Sequence, residues 1–136
     1  PSKVKYITIM LCDDAPKIYG LDSISRDEPV FITEGPFDST FIRNSIAMCG
    51  ADVDVSGYGI STPVYVYDNE PRNAEICRRI QTAIATKQTV IIWPDHIQQK
   101  DINDMYLAGH DVQNLVESNM YNGLEATLKF KIWKRI

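Results

Sequence analysis

The chain has 136 residues, of which 44% are hydrophobic and 24% charged, and it has a formal net charge of −4 at pH 7. This length and composition predict one globular domain with a hydrophobic core. No apolar run approaches the roughly 20 residues that a transmembrane helix needs, so no membrane span is predicted. The mild acidity does not by itself indicate nucleic-acid binding.

The cysteines and histidines are too widely spaced for a zinc site. Cys12, Cys49 and Cys77 form no C-x-x-C pair, and His96 and His110 complete no zinc-binding spacing with them. A sparse, odd number of cysteines is typical of reduced thiols. We therefore expect a cytoplasmic protein with no zinc in this chain.

In the first half of the chain, residues 6–11 and 30–33 are short apolar runs that predict strands. Gly35-Pro36 ends the second run. A helix is predicted from position 38 or 39 to about residue 48, with its apolar positions in a loose 3–4 pattern. A further short strand is expected around residues 53–55.

The second half alternates between strands and helices in the same way. The predicted order is a strand at 64–67, a helix at 72–86 with Pro71 in its first turn, a strand at 88–93, short helices at 101–109 and 111–118, and a strand at 126–132 with lysines on its open face. This alternation predicts an α/β fold, with a central, mostly parallel sheet flanked by helices.

Three acidic clusters each follow a predicted strand. Glu34 follows the run 30–33, residues 68–70 (DNE) follow the run 64–67, and residues 101–104 (DIND) follow the run 88–93. Parallel strands end at one edge of a sheet, where open α/β folds place their ligand sites. Carboxylates gathered there resist joint ionisation unless a cation lies between them. Mg²⁺, or Mn²⁺ in its place, is the expected cation.

Each acidic cluster also has a purely structural interpretation, which the sequence leaves open. Glu34 and Asp38 favour the dipole of the helix that follows them. Residues 68–70 fit a tight turn with a helix cap. Asp101 and Asp104 suit the start of the next helix.

Short motifs in the chain resemble a known family. Residues 34–38 (EGPFD) resemble the E-G-x-x-D motif of TOPRIM domains, and residues 68–70 fall where that family has D-x-D. Residues 100–104 (KDIND), with Gly109 beyond them, are similar to the K-D-P-D-E…G segment of bacterial DNA primases, and residues 17–21 (KIYGL) resemble the L-Y-G-L segment of the same enzymes. The likeness is strongest to the primases of T-even-type bacteriophages. The chain departs from the pattern where glutamate replaces the second aspartate of D-x-D and asparagine the second aspartate of K-D-P-D.

The resemblance implies roles for individual residues. They are catalytic roles for Glu34, Asp68 and Glu70; metal binding by Glu34, Asp68, Glu70, Asp101 and Asp104; supporting roles for Gly35 and Asp38; and contacts to nucleotide or nucleic acid from Lys17, Arg72, Lys100, Lys129 and Lys131. In this assignment Glu34 is the general acid/base or a metal-organising carboxylate, and Asp104 substitutes for the charge missing at Asn103.

The resemblance further implies an enzyme that makes RNA primers from ribonucleotides on a single-stranded DNA template, with Mg²⁺. Residues 1–136 would be its single TOPRIM-like catalytic domain, a fragment of a longer primase whose zinc-binding module lies elsewhere. A replicative helicase is the expected partner, and the host cytoplasm the expected location. Two alternatives stay open: a TOPRIM nuclease or topoisomerase fragment that cleaves DNA, and a non-catalytic replisome subunit that binds a nucleotide or a metal.

Overall fold

The computed structural model of the chain describes residues 17–19, 24–49 and 59–136. The chain divides into two compact units, residues 1–63 and residues 64–136. The strands predicted at 6–11 and 53–55 lie outside the described residues. The prediction of one catalytic domain over the whole chain stays a prediction.

The first unit is built around a parallel strand pair. Its described elements are β1 (Lys17–Tyr19), β2 (Pro29–Thr33), the single-turn helix α1 (Pro36–Ser39) and β3 (Ser45–Cys49). The strand order is β1-β3-β2, with β2 parallel and β1 antiparallel to β3. The apolar run of β2 is buried from its second residue onwards, as the sequence predicts.

The helix predicted from 38 or 39 to about 48 is wrong, because only Asp38 and Ser39 are helical, residues 40–44 form a turn and β3 covers residues 45–49. Asn44 ends the intervening turn in the left-handed region at φ 53°, where asparagine is tolerated. Its side-chain amide donates to the carbonyl oxygens of Ser25 at 3.1 Å and Pro29 at 2.8 Å. Ile46 and Ala47 are both fully buried, so both faces of the strand are covered at its centre. A strand buried on both faces reads as a continuous apolar run, which resembles a helix pattern.

In the second unit, strands alternate with helices along the chain. Its elements are β4 (Thr62–Val66), which begins just before the boundary, then α2 (Ala74–Ala85), β5 (Thr89–Ile91), α3 (Ile102–Leu107), α4 (Val112–Ser118), β6 (Met120–Tyr121) and α5 (Gly123–Trp133). The strand order is β4-β5-β6, with β4 parallel and β6 antiparallel to β5. The predicted α/β class, with a mostly parallel sheet and flanking helices, is confirmed.

Helices α2 and α5 share a hydrophobic core with β5. The buried members of this core are Ile76, Cys77, Ile80, Val90, Ile92, Ala126, Phe130 and Trp133, with Tyr65, Tyr67, Ile84 and Tyr121 packed at its margin. Burial raises the pKa of the Cys77 thiol and so favours its neutral form. The thiol lies 3.5 Å from the carbonyl oxygen of Pro71, to which it donates a hydrogen bond.

The strand predicted at 126–132 is also wrong, because α5 covers these residues. Its buried positions Ala126, Phe130 and Trp133 are spaced four and three apart, which is one face of a helix. Leu128 and Ile132 are 55% and 62% exposed. The sequence alternates between apolar and polar side chains because this exposed apolar pair interleaves with the buried face.

Helix α2 begins at Ala74, two residues after the predicted start at residue 72. Asn73 is its N-cap, and the side-chain oxygen accepts from the backbone N–H groups of Glu75 at 3.0 Å and Ile76 at 3.1 Å. Pro71 therefore lies before the cap and not in the first turn. No helix of the described residues is long and apolar enough to cross a membrane.

Because residues 123–133 form a helix, alanine substitutions at two nearby apolar residues should change the free energy of unfolding unequally. Phe130→Ala removes a buried ring and should lower the free energy of unfolding by about 3 kcal/mol or more. Leu128→Ala changes an exposed side chain and should alter it by less than about 0.5 kcal/mol. Urea denaturation of both variants measures the difference. Equal losses would contradict the helix, since Leu128 and Phe130 share a face only in a strand.

The N-cap of α2 predicts how two substitutions of Asn73 change the free energy of unfolding. Asn73→Ala removes the acceptor for two backbone N–H groups and should lower the free energy of unfolding by about 1 kcal/mol. Asn73→Asp keeps an accepting oxygen and should stay within a few tenths of a kcal/mol of the unmodified chain. Thermal denaturation at neutral pH compares the two variants. An Asp variant as unstable as the Ala variant would show that the capping oxygen is unimportant.

Candidate active site

Asp68, Asn69 and Glu70 form a tight turn after β4, here called the acidic turn. The backbone N–H of Glu70 donates to the carbonyl oxygen of Asp68 at 2.9 Å. Both carboxylate residues are half-buried. The interpretation of residues 68–70 as a tight turn is therefore correct, with Asn69 at the centre of the turn.

The segment after β5 leads through residues 97–100 to the start of α3. Asp101 is the N-cap of that helix, and its carboxylate Oδ1 accepts from the backbone N–H of Asp104 at 2.8 Å. Asp104 is exposed in the first turn, where a negative charge favours the helix dipole. Lys100 is exposed beside them. The structural interpretation of Asp101 as a helix cap is therefore correct, and one carboxylate oxygen is committed to it.

Asn69 joins the acidic turn to this segment. Its backbone N–H donates to the carbonyl oxygen of Lys100 at 2.6 Å. Its side-chain amide donates to the carbonyl oxygens of Ile97 at 3.0 Å and Gln99 at 3.1 Å. The structure thus places the acidic turn against the residues that lead into Asp101, two elements that are separated by a helix and a strand in sequence.

Both tryptophans of the chain bond to the residues around this junction. The indole N–H of Trp93 donates to the carbonyl oxygen of Tyr67 at 2.8 Å, directly before the acidic turn. The indole N–H of Trp133 donates to Oδ1 of Asn69 at 2.9 Å. Sequence reasoning missed Asn69 and Trp133 as contributors to the site. No local signal indicates the pair, since they are 64 residues apart.

In the first unit, Glu34 follows β2 and is exposed. The hydroxyl of the buried Thr33 donates to the carbonyl oxygen of Gly35 at 2.9 Å and so holds the turn after the strand. A Cβ on Gly35 would lie 4.0 Å from Oδ2 of Asp38, so the Asp38 carboxylate faces this turn. The supporting role predicted for Asp38 stays a prediction.

Gly35 and α1 form the turn that follows Glu34. Gly35 has φ −96° and ψ 132°, which any residue adopts, so the fold does not require glycine there. Helix α1 has four residues, so the helix dipole that Glu34 and Asp38 favour comes from a single turn. The supporting role of Gly35 stays a prediction.

The predicted basic contacts are spread over several elements. Lys17 lies in β1, and Arg72 and Lys100 are exposed around the acidic turn and the start of α3. Lys129 and Lys131 were expected on one open face of a strand, which is wrong. On a helix, two positions apart differ by about 200° in direction, so the two lysines do not form one row.

Arg78 and Arg79, on α2, are engaged within their own helix. Both donate to the carboxylate of Glu75, one turn earlier. The hydrogen bond from Arg78, with the charge of both arginines, lowers the pKa of the Glu75 carboxyl. These side chains form an exposed ion-pair cluster, which contributes little to stability.

The second unit has carboxylates of the kind that bind Mg²⁺ in other proteins. Among residues 17–19, 24–49 and 59–136, no group of three or more His, Cys, Asp or Glu side chains is arranged to hold a metal ion. Mg²⁺, however, usually takes one or two carboxylates and completes its shell with water and substrate phosphates. The carboxylates of the acidic turn are of this type. The metal-ligand roles of Glu34, Asp68, Glu70, Asp101 and Asp104 stay predictions.

Comparison with known proteins gives one informative match. No family model matches the chain. The chain is 32% identical over 138 aligned positions to the DNA primase of Enterobacteria phage T4. The match includes 97% of this chain but only 40% of the phage protein. The chain is therefore similar, along almost its whole length, to a part of a bacteriophage DNA primase.

Two substitutions of Asp101 distinguish its role as a helix cap from the predicted role in metal binding. Asp101→Ala removes the acceptor for the Asp104 N–H and should lower the free energy of unfolding by about 1 kcal/mol. Asp101→Asn is an equally good cap and should be close to neutral. If Asp101 also binds Mg²⁺, both variants weaken Mg²⁺ binding by a similar factor. Urea denaturation and calorimetric Mg²⁺ titration measure the two effects. An Asn variant that binds Mg²⁺ normally would leave Asp101 with the capping role only.

Proposed function

We propose that this chain is the catalytic part of a DNA primase and synthesises RNA primers on single-stranded DNA with Mg²⁺ or Mn²⁺. The observation that carries the proposal is the similarity to phage T4 DNA primase along 97% of the chain. The acidic turn and its contact with the start of α3 support it, because phosphate-transfer sites combine carboxylates with metal ions. The assignment to the TOPRIM family belongs to this proposal.

In the second unit, the proposed ligands of the metal are Asp68, Glu70 and Asp101, with Asp104 as a further carboxylate nearby in sequence. Asp101 uses Oδ1 for the helix cap, which would orient the remainder of the carboxylate. Glu70 reaches further than the aspartate it replaces and has the same charge. When bound, Mg²⁺ would supply electrostatic stabilisation of the phosphate undergoing transfer.

The proposed reaction is nucleotidyl transfer. The 3′-oxygen of the primer forms a bond to the α-phosphorus of the incoming ribonucleotide, the bond between the α-phosphorus and its bridging oxygen breaks, and pyrophosphate leaves. In this proposal Glu34 either accepts the proton of the 3′-hydroxyl as a general base, or organises the metal, in which case the proton passes to water. Its exposure makes the carboxylate accessible to a substrate hydroxyl.

Positive side chains would bind the phosphates of the substrates. Lys100 lies next to the proposed ligand Asp101 and suits the phosphates of the incoming nucleotide. Arg72 lies two residues after the acidic turn. It lines a surface depression together with Glu70, Pro71 and Asn73. Lys17, Lys129 and Lys131 are proposed to contact the nucleic-acid backbone, the last two from different sides of α5.

The larger assembly is proposed on the same basis. The chain matches less than half of the phage primase, so primer initiation and template recognition would involve sequence outside it. We propose that a zinc-binding module belongs to that remaining sequence, that a replicative helicase is the partner, and that the protein acts in the host cytoplasm.

A primer-extension assay tests the proposed function. A short RNA primer annealed to a DNA template avoids the need for initiation, and ribonucleotides and Mg²⁺ are added. We expect extended RNA from the unmodified chain and a loss of about 10²- to 10⁴-fold in Glu34→Gln, because a positioned acid/base group contributes that much. Glu28→Gln is the matched control, since Glu28 is an exposed glutamate before β2 in the same unit.

The products distinguish the alternatives. Shortened DNA that is lost in Glu34→Gln would replace the primase proposal by a nuclease. Binding of Mg²⁺ and nucleotide without any product, unaffected by Glu34→Gln, would indicate the non-catalytic subunit. Equal activity of Glu34→Gln and Glu28→Gln would overturn the role of Glu34.

A further inference from the structure

Helix α5 has an apolar face that the core does not cover. Leu124, Leu128 and Ile132, here called the apolar stripe, are 74%, 55% and 62% exposed. They follow one another at intervals of four residues, so each lies about 40° round the helix from the one before it. The centre of the stripe is about 170° from the centre of the buried face. Helix α5 is therefore apolar on two opposite faces, a pattern typical of helices that are covered on both.

The stripe has the form of a helix-packing surface. A contiguous exposed apolar surface beside polar side chains is typical of a protein–protein interface. Side chains at intervals of four residues form a ridge, and the commonest packing of two helices interlocks two such ridges. The matching surface for the stripe is thus a second helix with a ridge of the same kind. Helix α5 of a second copy of this chain has one.

The charged side chains differ between the two sides of the stripe. Lys131 and Thr127 lie on one side, Glu125 and Lys129 lie on the other, and all four are exposed. The ammonium group of Lys129 lies 5.3 Å from the centroid of the Tyr121 ring, a contact that is weak at an exposed site. One side of the stripe therefore has both a negative and a positive charge, four residues apart.

Two antiparallel copies of α5 match each other in apolar surface and in charge. A two-fold axis at Leu128 places Leu124 against Ile132 of the second copy, and each side of one stripe then meets the same side of the other. At a rise of 1.5 Å per residue, Glu125 lies about 3 Å along the helix axis from Lys129 of the second copy. The two-fold symmetry gives this pair of opposite charges twice.

We propose that the apolar stripe of α5 binds the same stripe of a second copy of this chain, in an antiparallel pair with two-fold symmetry. On the other side of the stripe, Lys131 lies nearest the uncharged Thr127 of the second copy, and the two Lys131 residues are about 9 Å apart along the axis. The stripe is small beside the roughly 800 Å² per partner of a standard interface, so the dimer dissociates on dilution.

This inference goes beyond the proposed function and does not depend on it. The dimer engages Lys129 with Glu125 of the second copy, so nucleic acid bound at Lys129 would compete with the dimer. Lys131 meets no charged side chain of the second copy directly and stays accessible to nucleic acid.

Analytical ultracentrifugation of the whole chain at increasing concentration tests the proposal. We expect a reversible equilibrium between monomer and dimer. Leu128→Glu places two carboxylates at the two-fold axis and should raise the dissociation constant at least about tenfold, because central interface residues contribute most to binding. Leu107→Glu is the matched control, since Leu107 is 72% exposed on α3 of the same unit, and it should leave the dissociation constant unchanged. Urea denaturation verifies that both variants are folded.

Substitutions at the two charged positions test the antiparallel arrangement. Glu125→Lys has lysine at both positions and Lys129→Glu has glutamate at both, so each variant alone should dimerise more weakly than the unmodified chain. In an equimolar mixture, opposite charges meet at both pairs, and the dimer should return as a heterodimer. A mixture that is no more dimeric than its two components would overturn the antiparallel pairing.

Three further results would overturn the proposal. The first is an unmodified chain that stays monomeric up to about 1 mM. The second is a dimer that is equally stable in Leu128→Glu and Leu107→Glu, since its interface would lie on another surface. The third is a monomeric chain that binds single-stranded DNA and loses this affinity in Leu128→Glu alone, which would assign the stripe to nucleic acid.

Discussion

In the second unit, α5 and the acidic turn are connected by the hydrogen bond that the buried indole N–H of Trp133 donates to Asn69. The core between α2, β5 and α5 places this side chain where water does not reach it freely, and a protein N–H in such a place must find an acceptor. Asn69 is that acceptor, and its own donors are then taken up by the carbonyl oxygens of Ile97 and Gln99. One hydrogen-bonded chain thus connects a helix, a turn and a loop that are distant in sequence.

The acidic residues near this connection have structural roles that are compatible with the proposed binding of a metal ion. Asp101 caps α3 with one oxygen, and Asp104 favours the dipole of the same helix. Neither contact excludes a metal ion, because a carboxylate has two oxygens and Mg²⁺ needs few protein ligands. The structural and functional interpretations of the acidic clusters are therefore compatible, and for Asp101 the proposed function uses both.

The two incorrect sequence assignments have the same physical origin. Hydrophobic periodicity reports which side chains are apolar and not which are buried. In β3, consecutive residues such as Ile46 and Ala47 are buried on both faces, and the expected strand alternation disappears. In α5, exposed Leu128 and Ile132 interleave with buried Ala126 and Phe130, and a false alternation appears. In α2, the buried positions Ile76, Ile80 and Ala83 are spaced four and three apart, and there the helix was predicted correctly.

The sequence by itself determined the α/β class, the strands that precede each acidic cluster, and Asp101 and Asp111 as the starts of α3 and α4, since all of these depend on local propensity and short-range hydrogen bonding. It also indicated the primase likeness through short motifs, and 32% identity to a phage primase supports that likeness. Only the tertiary structure decided that the acidic turn lies against the start of α3 and that Trp133 holds Asn69. Those contacts join residues up to 64 positions apart, and no local pattern specifies such a pair until the hydrophobic core has folded around it.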